Sequence, residues 1–243
     1  MIKFFRKIRQ KLLSENKFSK YLIYAFGEIV LVVIGIMIAI WLNESVNESN
    51  NNKLRCAYLS ELLFTIEQDI SGTNSSISAF ALWNPKISEI KTALKENRLS
   101  DIDSLYNKLG TVGNIIVLGQ SSKTKIEELK YSSVNLIENR ELKDKVLHYQ
   151  DDSFYFIRLL DKNYEAIGED LRKYYAKNFD GFNYTDAIPL DINELENDNY
   201  YYSLVSQRLR MNIRFVGVYN DLLIELKEIK ELIAKEIKNN CIE

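Results

Sequence analysis

Glycine and proline are scarce in this chain, nine and two among 243 residues, under 5% together against an average near 12%. Collagen-like, linker-like and turn-dense all-β classes are disfavoured at once, because each needs these residues to shape its backbone. Histidine occurs once and cysteine twice, too few for most zinc sites, which take about four N or S ligands. HExxH, GxSxG and CxxC motifs are absent, as are the GxGxxG and GxxxxGK-Ser/Thr patterns of phosphate cradles. What the chain does not lack is apolar surface: 46% of it is hydrophobic and 12% aromatic, ample for a core and contrary to disorder.

The net charge of -2 hides a segregation. Residues 1–20 hold Lys3, Arg6, Lys7, Arg9, Lys11, Lys17 and Lys20 against one anion, Glu15. That segment is +6, which leaves -8 for the rest. Immediately after it, residues 21–42 read YLIYAFGEIVLVVIGIMIAIWL, with Glu28 the one charged member. A helix rises about 1.5 Å per residue, so roughly 20 apolar residues cross a hydrocarbon core about 30 Å thick. A cleaved secretory signal would have a shorter apolar region ending at small residues. This run ends on Ala39-Ile40-Trp41-Leu42-Asn43, with bulky residues there. Tyr21, Tyr24 and Trp41 lie near its ends, where amphipathic rings favour the headgroup layer. The expectation is an uncleaved single-pass anchor in the inner (cytoplasmic) membrane. Cation excess before the span, with Glu44 and Glu48 after it, places the N-terminus in the cytoplasm and residues 43–243 in the periplasm.

Within residues 1–20, Ile2, Phe5, Ile8, Leu12 and Leu13 recur at helical spacing between cations. Two readings stand: an amphipathic helix lying on an anionic leaflet, or a basic topogenic tail. Inside the span, Glu28, Val32, Gly35 and Ala39 fall on one helical face, and Gly35-x-x-x-Ala39 is a pair of small residues that admits close helix approach. An ionisable group in a span is costly and often functional. This face is a candidate contact for a second transmembrane helix; the alternative is that Glu28 snorkels toward the cytoplasmic headgroups.

Beyond the span the periodicity predicts an all-α domain. Leu54, Tyr58, Leu62, Ile66 and Ile70 step by four, widened by Leu59 and Leu63, with Glu61, Glu67 and Asp69 off the stripe. A break is expected at Gly72 and the polar residues after it. Asn84-Pro85 reads as an N-cap and first-turn proline opening a new helix. A shorter helix is expected over 100–109, and residues 110–119 read as an apolar connection. Two long seams follow, Leu142 to Tyr174 and Tyr219 to Ile237, joined by an irregular connection that carries Gly181 and Pro189. Such seams bury against one another as long antiparallel helices of a bundle.

Few residues suggest chemistry. His148, the single histidine, sits on a predicted helix with no nucleophile placed by motif to use it. The carboxylates follow surface spacing, and no EF-hand ligand run follows Asp101 and Asp103. Tyr174, Tyr175, Phe179, Phe182, Tyr184 and Tyr200 to Tyr202 gather near the connection, as a packed bundle end or the lining of a cleft. Cys56 and Cys241 would meet near the membrane surface if the last helix returns antiparallel to the first; free or intermolecular thiols are the alternative.

The opening MIKFFRKIRQKLLSENKFSKYLIYAFGEIVLVVIGIMIAIWLNE resembles the start of a large, uncharacterised family of Gram-negative bacterial membrane proteins. Its members have a basic FRKIRQ stretch, a GEI-x-L-V-x-IGI-x-IA span and a helix-rich ectodomain. The later EELKYSSVNLIENRELKDKVLHYQ is similar to a second family segment with a Leu-Ile-x-Asn-x-x-Leu core. In this resemblance Gly27, Glu28 and Gly35 fall at recurrent motif positions. Members often have Gln-Ile-Asn-Asn-Trp after the span, where Trp41-Leu42-Asn43-Glu44 stands here. The resemblance implies a topology and no activity.

The resulting expectation is a membrane-anchored interaction or sensory-type module acting through a partner. Behind it stand a ligand-binding receptor domain and, third, a hydrolase with an unrecognised site. Expected partners are the lipid bilayer and either another membrane protein or a second copy, met through the transmembrane helix. No enzymatic activity, cofactor, metal or nucleic acid is expected.

Overall fold

The computed structural model describes residues 18–114, 134–183 and 185–241. The chain divides into two units, Met1–Leu54 and Arg55–Glu243. Helix α1, Phe18–Glu96, makes up the described part of the first unit and opens the second. The basic stretch 1–17, the remainder of the apolar connection at 115–119 and Tyr184 lie outside the described residues.

In the first unit, every side chain from 26 to 51 is exposed except Glu28, which is half-buried. The exposed groups include Phe26, Leu31, Met37 and Trp41, each open over 64% or more of its surface. The most apolar stretch of α1 has a mean hydropathy of 2.3 with none of it buried, and it is long and apolar enough to cross a membrane.

After α1 come a 3-10 turn at Leu99–Asp101, helix α2 at Leu105–Gly113 and a second 3-10 turn at Val134–Leu136. Helix α3, Arg140–His148, runs through a π-helical turn at Tyr149–Ser153 into α4, Phe154–Asn178. Strands β1 (Phe179–Phe182) and β2 (Ala187–Pro189) pair antiparallel, followed by the short α5, Ile192–Glu196, and the long α6, Asn199–Asn240. The described fold is thus almost wholly α.

Several expected breaks are absent, each for a local reason. Gly72 does not end α1. In the polar stretch after it, Thr73, Asn74, Ser75, Ser76 and Ser78 each donate a side-chain hydrogen bond to the carbonyl four residues back. These groups satisfy themselves on the helix instead of capping or turning it. Pro85 stands inside α1 rather than at a start. Its missing N–H is outweighed by the core on both sides, where Phe80, Ile87 and Ile90 are wholly buried. Helix α2 begins later than expected and continues through Gly113. The connection after α4 forms a hairpin: Asn183 Oδ1 accepts from the Thr185 and Asp186 N–H groups at 2.9 and 2.8 Å and closes its turn.

Helices α1 and α6 run antiparallel in one register. Moving along α1 from Cys56 through Glu67 to Asn84 moves back along α6 from Cys241 through Lys230 to Asn212, almost residue for residue. At those levels stand a disulfide, an ion pair of 2.9 Å and a side-chain hydrogen bond of 2.9 Å. Two apolar clusters fill the bundle. The first joins Tyr58, Leu62, Ile66 and Phe80 to Val146, Tyr164, Phe215 and Ile229. The second joins Ile87, Ile90 and Leu109 to Leu171, Tyr175, Tyr201 and Val205. Leu54, at the head of the expected stripe, is instead 59% exposed. Asp69, expected outside the stripe, is buried, and the Tyr149 hydroxyl donates to its Oδ2 at 2.7 Å.

Candidate functional site

On α1, Glu28, Val32, Gly35 and Ala39 lie on one face of a continuous helix. Val32 is 58% exposed, Ala39 is exposed, and a Cβ built on Gly35 meets nothing within 4 Å. The face is therefore open over the small-residue pair, where another helix could approach closely. Cys56 and Cys241 are joined to each other, so neither thiol is free.

His148 ends α3, and its Nδ1 lies 2.8 Å from Glu225 Oε1 on α6. The Ser153 hydroxyl donates to the other oxygen of the same carboxylate at 2.6 Å. A nucleophile relay requires imidazole between hydroxyl and carboxylate; here the carboxylate stands between the other two. The hydrogen bond to Glu225 raises the His148 pKa above its ordinary value, aided by Asp152 and opposed by partial burial and Lys145. The arrangement is a charged clasp between α3, the π-turn and α6.

The aromatic residues near the hairpin pack on one another. Tyr175 stacks on Phe179 with centroids 4.1 Å apart, and Tyr174 stacks on Tyr201 at 4.9 Å. Tyr201 and Tyr175 share a hydroxyl contact of 2.9 Å, while the Tyr175 hydroxyl donates to the Leu109 carbonyl at 2.7 Å. Tyr174 donates to Asp198 Oδ2 at 2.7 Å, and Oδ1 of that residue caps α6. Beside this end, an open cleft of about 450 Å³ is lined by Leu94, Asn97, Glu196, Asp198 and Tyr202 among others.

Between the two apolar clusters lies a polar layer that the sequence reading passed over. Arg208 of α6 is wholly buried. Its Nη2 donates to the Asn114 carbonyl, and its guanidinium carbon sits 5.2 Å from the centre of the Tyr164 ring. Its Nε and Nη1 have no hydrogen-bond partner. One turn on, Asn212 Nδ2 donates to Asn84 Oδ1, while Asn212 Oδ1 is unpartnered. The Tyr164 and Tyr219 hydroxyls are also buried without partners. Burial lowers the Arg208 pKa, with Tyr164 and Tyr175 opposing, and burial raises that of Tyr164. A signal for this layer exists in the sequence: carried back from Tyr219 by steps of four and three, the α6 seam passes through Phe215, Asn212, Arg208, Val205 and Tyr201. A cation inside an apolar seam marks the place. No protein-family model, curated protein or solved structure matches this chain.

Proposed function

We propose that this protein is a membrane-anchored helical module that works through a partner, with its bundle in the periplasm and its N-terminus in the cytoplasm. The observation that carries this reading is the stretch of α1 in which apolar side chains from Phe26 to Leu42 stand exposed around the whole helix. A water-soluble surface rarely exposes more than a few hundred Å² of contiguous apolar area, and lipid is the environment that removes the cost. The orientation rests on the +6 segment before the span. The resemblance of the opening residues to a family of single-pass envelope proteins agrees with it. The partner is met through the face of Glu28, Val32, Gly35 and Ala39, where small residues let a second helix approach and shelter the carboxyl group.

Single cysteines placed along residues 28–39 of the full chain, in a background lacking Cys56 and Cys241, test this in native membranes. Oxidative crosslinking is expected to peak at 28, 32, 35 and 39 and to fall at 30, 33 and 37. Uniform weak crosslinking around the helix would sink the interface, and recovery of the protein in the soluble fraction would sink the anchor.

A further inference from the structure

A guanidinium carries five N–H donors and holds its charge under all ordinary conditions. In water each donor is satisfied; in a packed interior an unmet charge is costly unless an opposite charge replaces the solvent. Arg208 is 0% exposed, yet among the described residues its only hydrogen-bonded acceptor is the Asn114 carbonyl, with the Tyr164 ring face as a further electrostatic support. No carboxylate among the described residues pairs with it, and both Nε and Nη1 lack an acceptor. Beside it the Tyr164 hydroxyl, able to donate or accept, is also buried and unpartnered and belongs to the ring over which the cation sits.

The layer interrupts the apolar packing of the bundle. It falls between the two hydrophobic clusters, beside the Asn84–Asn212 pair. Pro85 follows Asn84 and supplies no N–H to α1 at that level. The unmet Nε and Nη1 donors of this buried cation leave a local excess of positive potential in a medium that screens it poorly. The species such a group selects is a small anion with more than one acceptor oxygen.

We propose that Arg208, with Tyr164, forms a binding site in the bundle core for a small oxyanion, either a carboxylate or a phosphate group. This site is independent of how the chain sits in a membrane. It gives the module a ligand whose binding joins α4 to α6 at mid-bundle.

The test is thermal unfolding of the full chain in lipid nanodiscs, titrated with sodium acetate or sodium phosphate against chloride at matched ionic strength. A ligand that binds only the folded state at a hundred times its Kd raises Tm by about 5 °C or more in a domain of this size. Wild type is expected to show that rise with at least one anion by about 10 mM, growing with the logarithm of its concentration. General salt exclusion also stabilises but grows in proportion to concentration and is negligible near about 10 mM, where specific binding is already logarithmic, which separates the two effects. The response to acetate or to phosphate identifies which oxyanion is taken. Arg208→Met is expected to lose the rise and, in chloride, to unfold no earlier than wild type, because a buried unpaired charge has been replaced by an apolar chain of similar length. Arg208→Lys keeps the charge but loses the fork of donors, and its rise is expected to shrink severalfold in ligand affinity. No rise in wild type by about 10 mM of either anion overturns the site. So does an equal rise in Arg208→Met, or a Tm in chloride that collapses for both variants, since Arg208 would then be a structural group with its needs already met.

Discussion

His148 shows at the residue scale how a single group ties two helices and makes their contact depend on pH. Its pKa is raised by the Glu225 hydrogen bond at 2.8 Å. The sign follows from linkage: the folded state holds the proton more tightly than the unfolded chain. The stabilisation is complete below the unfolded value near 6.5 and is lost as pH rises through the raised folded value. The groups facing His148 are Glu225 on α6, and Lys145 and Asp152 on either side of it along the chain. Tm of the wild-type chain is therefore expected to fall more between pH 6 and about 8 than that of His148→Gln. Parallel curves for the two proteins would show that the clasp contributes nothing. The imidazole is largely exposed, so the effect is small. Residue-scale polarity was also where sequence reading failed. Asp69 reads as a surface group by spacing, but its Tyr149 partner lies 80 positions away, and no local pattern announces a contact of that range.

At the scale of elements, α1 shows that local breakers act only where nothing stronger opposes them. Gly72 and the serines after it fit a loop, and Pro85 fits a helix start. The buried stripe on either side keeps one helix running through both. Glycine here is thus a cost rather than a requirement. Gly72→Ala is expected to stabilise by about 0.5–1 kcal/mol, since a Cβ there meets nothing within 4 Å. Gly110→Ala provides the contrast. A Cβ at that position on α2 would come within 2.7 Å of the Asp186 N and 2.8 Å of the Thr185 carbonyl group. The obstacle is backbone, which has little freedom to yield, so a loss of about 1–3 kcal/mol is expected. Urea unfolding of both variants checks the pair, and equal shifts of the same sign would refute the argument. The hairpin after α4 was hidden for a related reason. Its short strands carry too few residues for a period to register, and Asn183 closes the turn with side-chain bonds that composition does not reveal.

For the whole molecule, the dominant fact is that one covalent link encloses nearly all of the second unit. Cys56 and Cys241 are 185 positions apart in sequence. A crosslink closing so long a loop removes entropy from the unfolded chain worth about 5 kcal/mol in the chain-entropy model. Replacing both cysteines by serine, or adding reductant, is expected to lower the unfolding free energy by several kcal/mol. The oxidised chain should also migrate faster than the reduced one on a denaturing gel. Identical migration, with two thiols reacting after denaturation, would show the link to be missing. The disulfide sits at one end of the α1–α6 pair, while the Asn84–Asn212 contact lies about 42 Å farther along α1 at 1.5 Å per residue. Reduction is therefore expected to loosen the α1–α6 pair first at the cysteine end.

The sequence alone determined what depends on near neighbours. Its scarcity of glycine and proline and its steps of three and four set long helices, and one run of apolar residues set a helix able to cross a membrane. Both properties repeat locally, so they survive without knowledge of the fold. Only the tertiary structure decided which faces meet. It brought Cys56 to Cys241, Asn84 to Asn212 and Tyr149 to Asp69. It also carried α1 past its glycine and proline, and sealed Arg208 between two apolar clusters with most of its donors unmet. Burial is a property of the assembled chain: the same arginine on an open helix would be an ordinary surface cation, and packing alone turns it into a charge in need of a partner.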